Sequence, residues 1–152
     1  DESLDIIIWA LSNSKNNKKN KFFQENQKRQ ILNEIQENDQ KFKFHLDRFK
    51  YSSRFDENKK DFHFKEARKF IMKWNNILSR NYGSKNWLIG HNESIADWCI
   101  WPFVRQFKIA CKSAEINDPL ERPIKAWLEY FENHQNFPKV MTKYKVWEDS
   151  DL

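Results

Sequence analysis

Nine of the thirteen residues from 95 to 107 are apolar: Ile95, Ala96, Trp98, Cys99, Ile100, Trp101, Phe103, Val104 and Phe107. A helix over this stretch has no polar face, and such a helix is buried on all sides. Other elements must therefore wrap around it. Ser94 followed three residues later by Asp97 reads as a capping box at its start, with Asp in place of the usual Glu or Gln. The Ser94 hydroxyl is expected to accept from the Asp97 N–H, and the Asp97 carboxylate from the Ser94 N–H. Pro102 lies inside the run and removes one i→i−4 bond, so a kink is expected there. The fold class is all-α, a bundle around one buried central helix.

The surrounding segments carry the same period. Phe64, Ala67, Ile71, Trp74 and Leu78 form one apolar stripe, and Gly83 suits the helix C-terminus that follows. Ile124, Trp127, Leu128 and Phe131 repeat the pattern, with Pro123 in a first turn. Residues 22–38 form a more polar helix with Phe23, Ile31, Leu32 and Ile35 inward. Asn38-Asp39 then reads as an N-cap pair for a helix carrying Phe42, Leu46 and Phe49, ending near Ser52-Ser53. No segment alternates as a strand. Two glycines and four prolines are too few for a many-turned β-sandwich or a glycine-rich nucleotide cradle.

At 152 residues the chain fits one core. No run of about 18 apolar residues is present to span a membrane. The opening DESLDIII carries acids where a signal peptide carries bases. Two cysteines give neither a disulfide framework nor a four-ligand zinc site, and the expected compartment is a reducing cytoplasm. The first residue is Asp1, which fits a processed product, an expressed piece or a domain cut from a longer chain.

The net charge of +5 is uneven: −3 over residues 1–14, +5 over 15–30, −3 over 31–40, +6 over 41–73 and zero beyond. Residues 12–21 hold no apolar side chain and read as an exposed linker. Bases interleaved with Phe22, Phe23, Phe42, Phe44, Phe49 and Tyr51 suggest a single-strand nucleic-acid track. The aromatics recur at helical spacing and acids are scattered among the bases, so nucleic acid is not an expected partner.

Few residues carry the pattern of a reactive site. His45, His63, His91 and His134 show no metal-ligand spacing. Cys99, inside the apolar run, reads as a buried inert thiol, while Cys111, among Lys108 and Lys112, reads as the more exposed one. Arg105 and Gln106 need partners in the most apolar helix, with a structural ion pair to an acid expected for the arginine. With no histidine placed beside them, Ser94 and Asp97 read as structural rather than catalytic.

These residues also carry a family resemblance. Gly90, Ser94 and Asp97 match the Gly, three residues, Ser/Thr-x-x-Asp opening of the core helix in glutathione transferases. ENDQKFKFHLDRFKYSSRF (37–55), WPFVRQF (101–107) and FPKVMTKYKVW (137–147) resemble, in order, segments of a bacterial glutathione-transferase-like subfamily. The chain thus resembles the C-terminal helical domain of that family, here over residues 22–152. DESLDIIIWAL (1–11) resembles the last helix of the preceding thioredoxin-like domain. Glu2-Ser3 then match the pair that holds the γ-glutamyl end of glutathione; without the resemblance they read as a helix cap.

The resemblance implies that most of the thioredoxin-like domain, with its catalytic residue, lies outside this sequence. It implies no cofactor bound by this chain alone and glutathione as co-substrate of the complete protein. It further implies a homodimer, and a pocket for a hydrophobic electrophile or a mixed disulfide. Tyr144 and Trp147 are its pocket candidates, with packing of the tail onto the bundle as the plainer expectation. The rival function is a stand-alone protein–protein interaction module of the same fold, docking through the basic 41–73 stretch. A thioredoxin-like pattern with Cys-Pro-x-x in the coding sequence ahead of Asp1 would favour the enzyme.

Overall fold

The computed structural model describes residues 3–14, 21–80 and 87–145, and every regular element within them is helical. The order is α1 (Ser3–Ser12), α2 (Lys28–Glu37), α3 (Lys43–Lys50), α4 (Lys60–Ser79), α5 (Ile95–Ser113), α6 (Arg122–Glu132) and α7 (Phe137–Val140). Helix α5 lies against α2, α3 and α6, and α4 packs along α3 and α6. The core is where their apolar stripes meet: Ile31 and Ile35, Leu46, Ile71 and Trp74, Ile100 and Val104, Leu128 and Phe131 are all buried. Phe42 stands at the centre, edge-on to Trp74 at 5.0 Å and 6.2 Å from Phe107. No helix of the described residues is long and apolar enough to cross a membrane.

The structure corrects the sequence reading at two joints. Asn38-Asp39 caps nothing, because a π-helical turn, Asn38–Phe42, carries α2 straight into α3. Asn38 is completely buried; its Nδ2 donates to Asp39 at 3.0 Å, and its Oδ1 has no partner among the described residues. A cap contributes about 1 kcal/mol. Burying Phe42, Leu46 and Phe49 on one continuous face contributes about 1.5–3 kcal/mol each, so continuity wins. The expected helix over residues 22–38 is likewise shorter, with a 3₁₀ turn at Glu25–Gln27 ahead of α2.

The second correction concerns α5, which is not enclosed all round. Ile95, Ala96, Ile100, Val104, Phe107 and Cys111 form its buried stripe, while Trp98, Trp101 and Phe103 are only half-buried. Rings and cations cover that flank in place of a further helix. Trp101 stacks on Phe131 at 5.5 Å, and the Lys43 ammonium sits 4.8 Å from the Phe103 ring centre. The helix continues through Pro102, whose missing N–H leaves the Trp98 carbonyl without its i+4 donor.

Polar ties fix the outer helices. Lys73 of α4 pairs with Glu34 at 2.8 Å and with Glu37 on α2, and the Trp74 indole N–H donates to Glu34 at 3.0 Å. Burial opposes the Lys73 charge, but its bonds to the two glutamates outweigh that and hold its pKa above the ordinary lysine value. Helix α1 docks by Leu4, Ile7, Ile8 and Leu11, leaving Ile6 and Trp9 exposed. Most of the 12–21 linker and Gly83 lie outside the described residues.

Candidate functional site

The N-terminus of α5 is built around one carboxylate. Asp97 is completely buried and accepts four hydrogen bonds. Oδ2 takes the Ser94 backbone N–H at 2.9 Å and the Ser94 hydroxyl at 2.8 Å. Oδ1 takes the Leu88 N–H at 2.9 Å and the Trp127 indole N–H, from α6, at 3.0 Å. The capping box is thus formed, and the same side chain also fastens the loop before α5 and the neighbouring helix. Burial raises the Asp97 pKa, and its four donors pull the other way. Both oxygens are saturated with donors, so no free lone pair remains to take a substrate proton.

Beside this hub lies a cavity of about 380 Å³. The end of α1 contributes Leu11, the segment ahead of α2 contributes Phe22, the loop before α5 contributes Glu93, and the start of α5 contributes Ile95 and Trp98. His134 closes it from the corner after α6. The Tyr130 hydroxyl donates to Glu93 Oε2 at 3.1 Å, and burial followed by this contact raises the tyrosine pKa. The Lys21 ammonium lies 3.8 Å from Glu93 Oε1. His134 Nδ1 accepts the Asn136 N–H at 3.2 Å, which leaves Nε2 to carry the proton of the neutral ring. Its ring meets Trp98 edge-on at 5.4 Å. Sequence reasoning missed this cavity, because its walls come from four separated stretches and carry no shared motif.

The residues singled out from sequence scatter. Glu2 and Trp147 lie outside the described residues, and Ser3 opens α1. Tyr144 is 84% exposed and lines no part of the cavity; the expected packing of the tail onto the bundle is not what this residue does. The thiols are the reverse of the expectation: Cys111 is completely buried and Cys99 half-buried. Position 111 falls on the stripe of Val104 and Phe107, one turn further on. Burial pushes both thiols up to about 12, so neither is a thiolate near neutral pH.

Arg105 pairs with Glu132 at 3.6 Å, the expected acid partner, although it is half-buried rather than enclosed. Gln106 accepts from Lys50 at 3.1 Å. His91 is exposed. His45 and His63, eighteen residues apart, come together with their Nδ1 atoms 2.9 Å apart. No group of three or more potential metal ligands gathers among the described residues.

A family model, the C-terminal domain of glutathione S-transferase, matches residues 39–143. Comparison with curated proteins and with solved structures gave no match. The matched span runs from the π-helical turn through α3, α4, α5 and α6 to the tail, well over half of the chain, and it contains the Ser94–Asp97 hub. The chain belongs to the glutathione S-transferase C-terminal domain family.

Proposed function

We propose that this chain is the substrate-pocket and dimer-forming half of a glutathione-dependent transferase or thiol reductase. The family match over residues 39–143 is the observation that carries this reading. The cavity between α1 and the start of α5 supports it, since it offers an apolar wall where the two halves would meet. In such a protein a thioredoxin-like domain holds glutathione and lowers its thiol pKa. The thiolate then forms a carbon–sulfur bond to an electrophile, whose displaced group leaves with the electron pair. Alternatively it attacks one sulfur of a mixed disulfide and expels the other as thiolate, which takes up a proton. This chain would supply the apolar enclosure, with Glu2-Ser3 securing the γ-glutamyl end.

One anchoring pair cannot order a flexible tripeptide against its rotational and positional entropy. The 152 residues alone are therefore expected to bind glutathione no tighter than millimolar, on the order of −4 kcal/mol. Turnover of standard acceptors should equal the buffer blank. Fusing a family thioredoxin-like domain ahead of Asp1 should restore glutathione binding, and Glu2→Ala in the fusion should weaken it again. Calorimetry showing micromolar affinity for the chain alone, or a folded fusion that binds no glutathione, would overturn the proposal.

A further inference from the structure

Glu93, in the wall of the cavity beside α5, is already paired with an ammonium, the protein's own. Lys21 Nζ stands 3.8 Å from Glu93 Oε1 and 5.0 Å from the centre of the Phe22 ring. A cation between a carboxylate and an aromatic face is drawn by the negative charge and by the ring quadrupole together. The two partners differ in burial: the Lys21 side chain is 66% exposed and that of Glu93 only 15%. The carboxylate belongs to the fold, whereas the lysine reaches in from solvent. The Glu93 oxygens are also divided, with Oε2 fixed by the Tyr130 hydroxyl and Oε1 turned to the cation. A loose, exposed ion pair is worth little, so replacing the Lys21 ammonium with another costs little.

The walls are mixed, with His134, Gln135 and Asn136 beside the apolar side chains. Leu11, Ile95 and Trp98 line the cavity, and its volume of about 380 Å³ lies at the small end of the range for ligand sites. We propose that this cavity binds a small organic cation of arylalkylamine size, whose ammonium replaces that of Lys21 at Glu93 Oε1 and whose apolar body lies against Trp98, Ile95 and Leu11. The geometry is that of the chain itself and requires no glutathione. The inference goes beyond the transferase reading, and neither depends on the other's success.

The test is a calorimetric titration of the 152-residue chain, without glutathione, using 2-phenylethylammonium chloride and the neutral 2-phenylethanol. The ammonium compound should bind about tenfold tighter than the alcohol. Glu93→Gln should abolish that preference. Lys21→Met, which removes the competing ammonium from an exposed position, should tighten binding of the cation about threefold while leaving the alcohol unchanged. Should Glu93→Gln fail to fold, Lys21→Met decides alone. Equal affinity for the two probes, no binding of either at millimolar concentration, or no tightening in Lys21→Met would overturn the proposal.

Discussion

Asp97 ties a loop and a second helix to the start of α5, and its four donors set what its removal costs. Asp97→Ala strands the Leu88 N–H, the Ser94 N–H and the Trp127 indole N–H in a dry interior. Each buried donor left without an acceptor costs about 1–3 kcal/mol. Asp97→Ala should therefore lose about 3 kcal/mol or more, whereas Ser94→Ala, which leaves the carboxylate and its other donors in place, should lose about 1 kcal/mol. Urea denaturation checks both, and two midpoints within error of the unaltered protein would refute the account. The Ser94–Asp97 pair was legible in the sequence because a capping box is local. Leu88 and Trp127 were not, since their arrival depends on how a loop and a distant helix pack. Cys111 teaches the converse. Its lysine neighbours suggest exposure, yet its spacing from Phe107 and Val104 places it on the buried stripe, and at helical positions the period outweighs the immediate neighbours.

Between elements, α3 and α4 are joined by an unusual contact, the 2.9 Å approach of His45 Nδ1 to His63 Nδ1. One ring must donate and the other accept, so the pair cannot keep this bond with both rings protonated. Burial lowers both pKa values from 6.5, helped at His45 by the neighbouring His63 and at His63 by Arg48; Glu66 pulls the other way at each. The folded state thus resists protons that the unfolded state accepts. Stability from this pair is present above 6.5, the unfolded value, and is lost as pH falls through the lower folded values. The urea midpoint should be flat from about pH 8 to 7 and should decline toward pH 5, with His63→Phe showing a shallower decline. An unaltered slope in His63→Phe would assign the acid sensitivity elsewhere. Nothing local in the sequence announces this pair, because the partners lie on different helices. The π-helical turn between α2 and α3 was equally hidden: Asn38-Asp39 has the composition of a cap, and only the onward apolar stripe through Phe42 and Leu46 argues against a break.

At the scale of the whole molecule, the all-helical class was legible because four segments carry a helical period and none alternates as a strand, and the ordered family segments agree with it. Assembly is written less directly. Phe44, Phe55 and Phe62 are 44%, 54% and 52% exposed around α3 and the start of α4. They form a patch rather than scattered residues: Arg48 lies over Phe44 at 3.5 Å and Phe55 at 4.8 Å, and Phe62 meets His45 at 6.0 Å. The proposed homodimer would use this surface, within residues of about 22 to 70. A two-fold axis sets a patch against its own copy, so the +6 charge of residues 41–73 would face itself. Repulsion between like surfaces is screened by salt, with a Debye length of about 10 Å at 0.1 M falling to about 3 Å at 1 M. The dimer should therefore tighten as ionic strength rises, the opposite of one held by salt bridges. Protonation of His45 and His63 adds positive charge to the same patch, so acid should loosen it. Sedimentation equilibrium at high protein concentration should show twice the chain mass in high salt, approaching the monomer mass in low salt. Phe62→Glu plants a carboxylate in the apolar contact and should shift the protein to monomer while leaving its helical circular dichroism unchanged. A monomer mass for the unaltered chain at high salt and high concentration would remove the dimer from the proposed function.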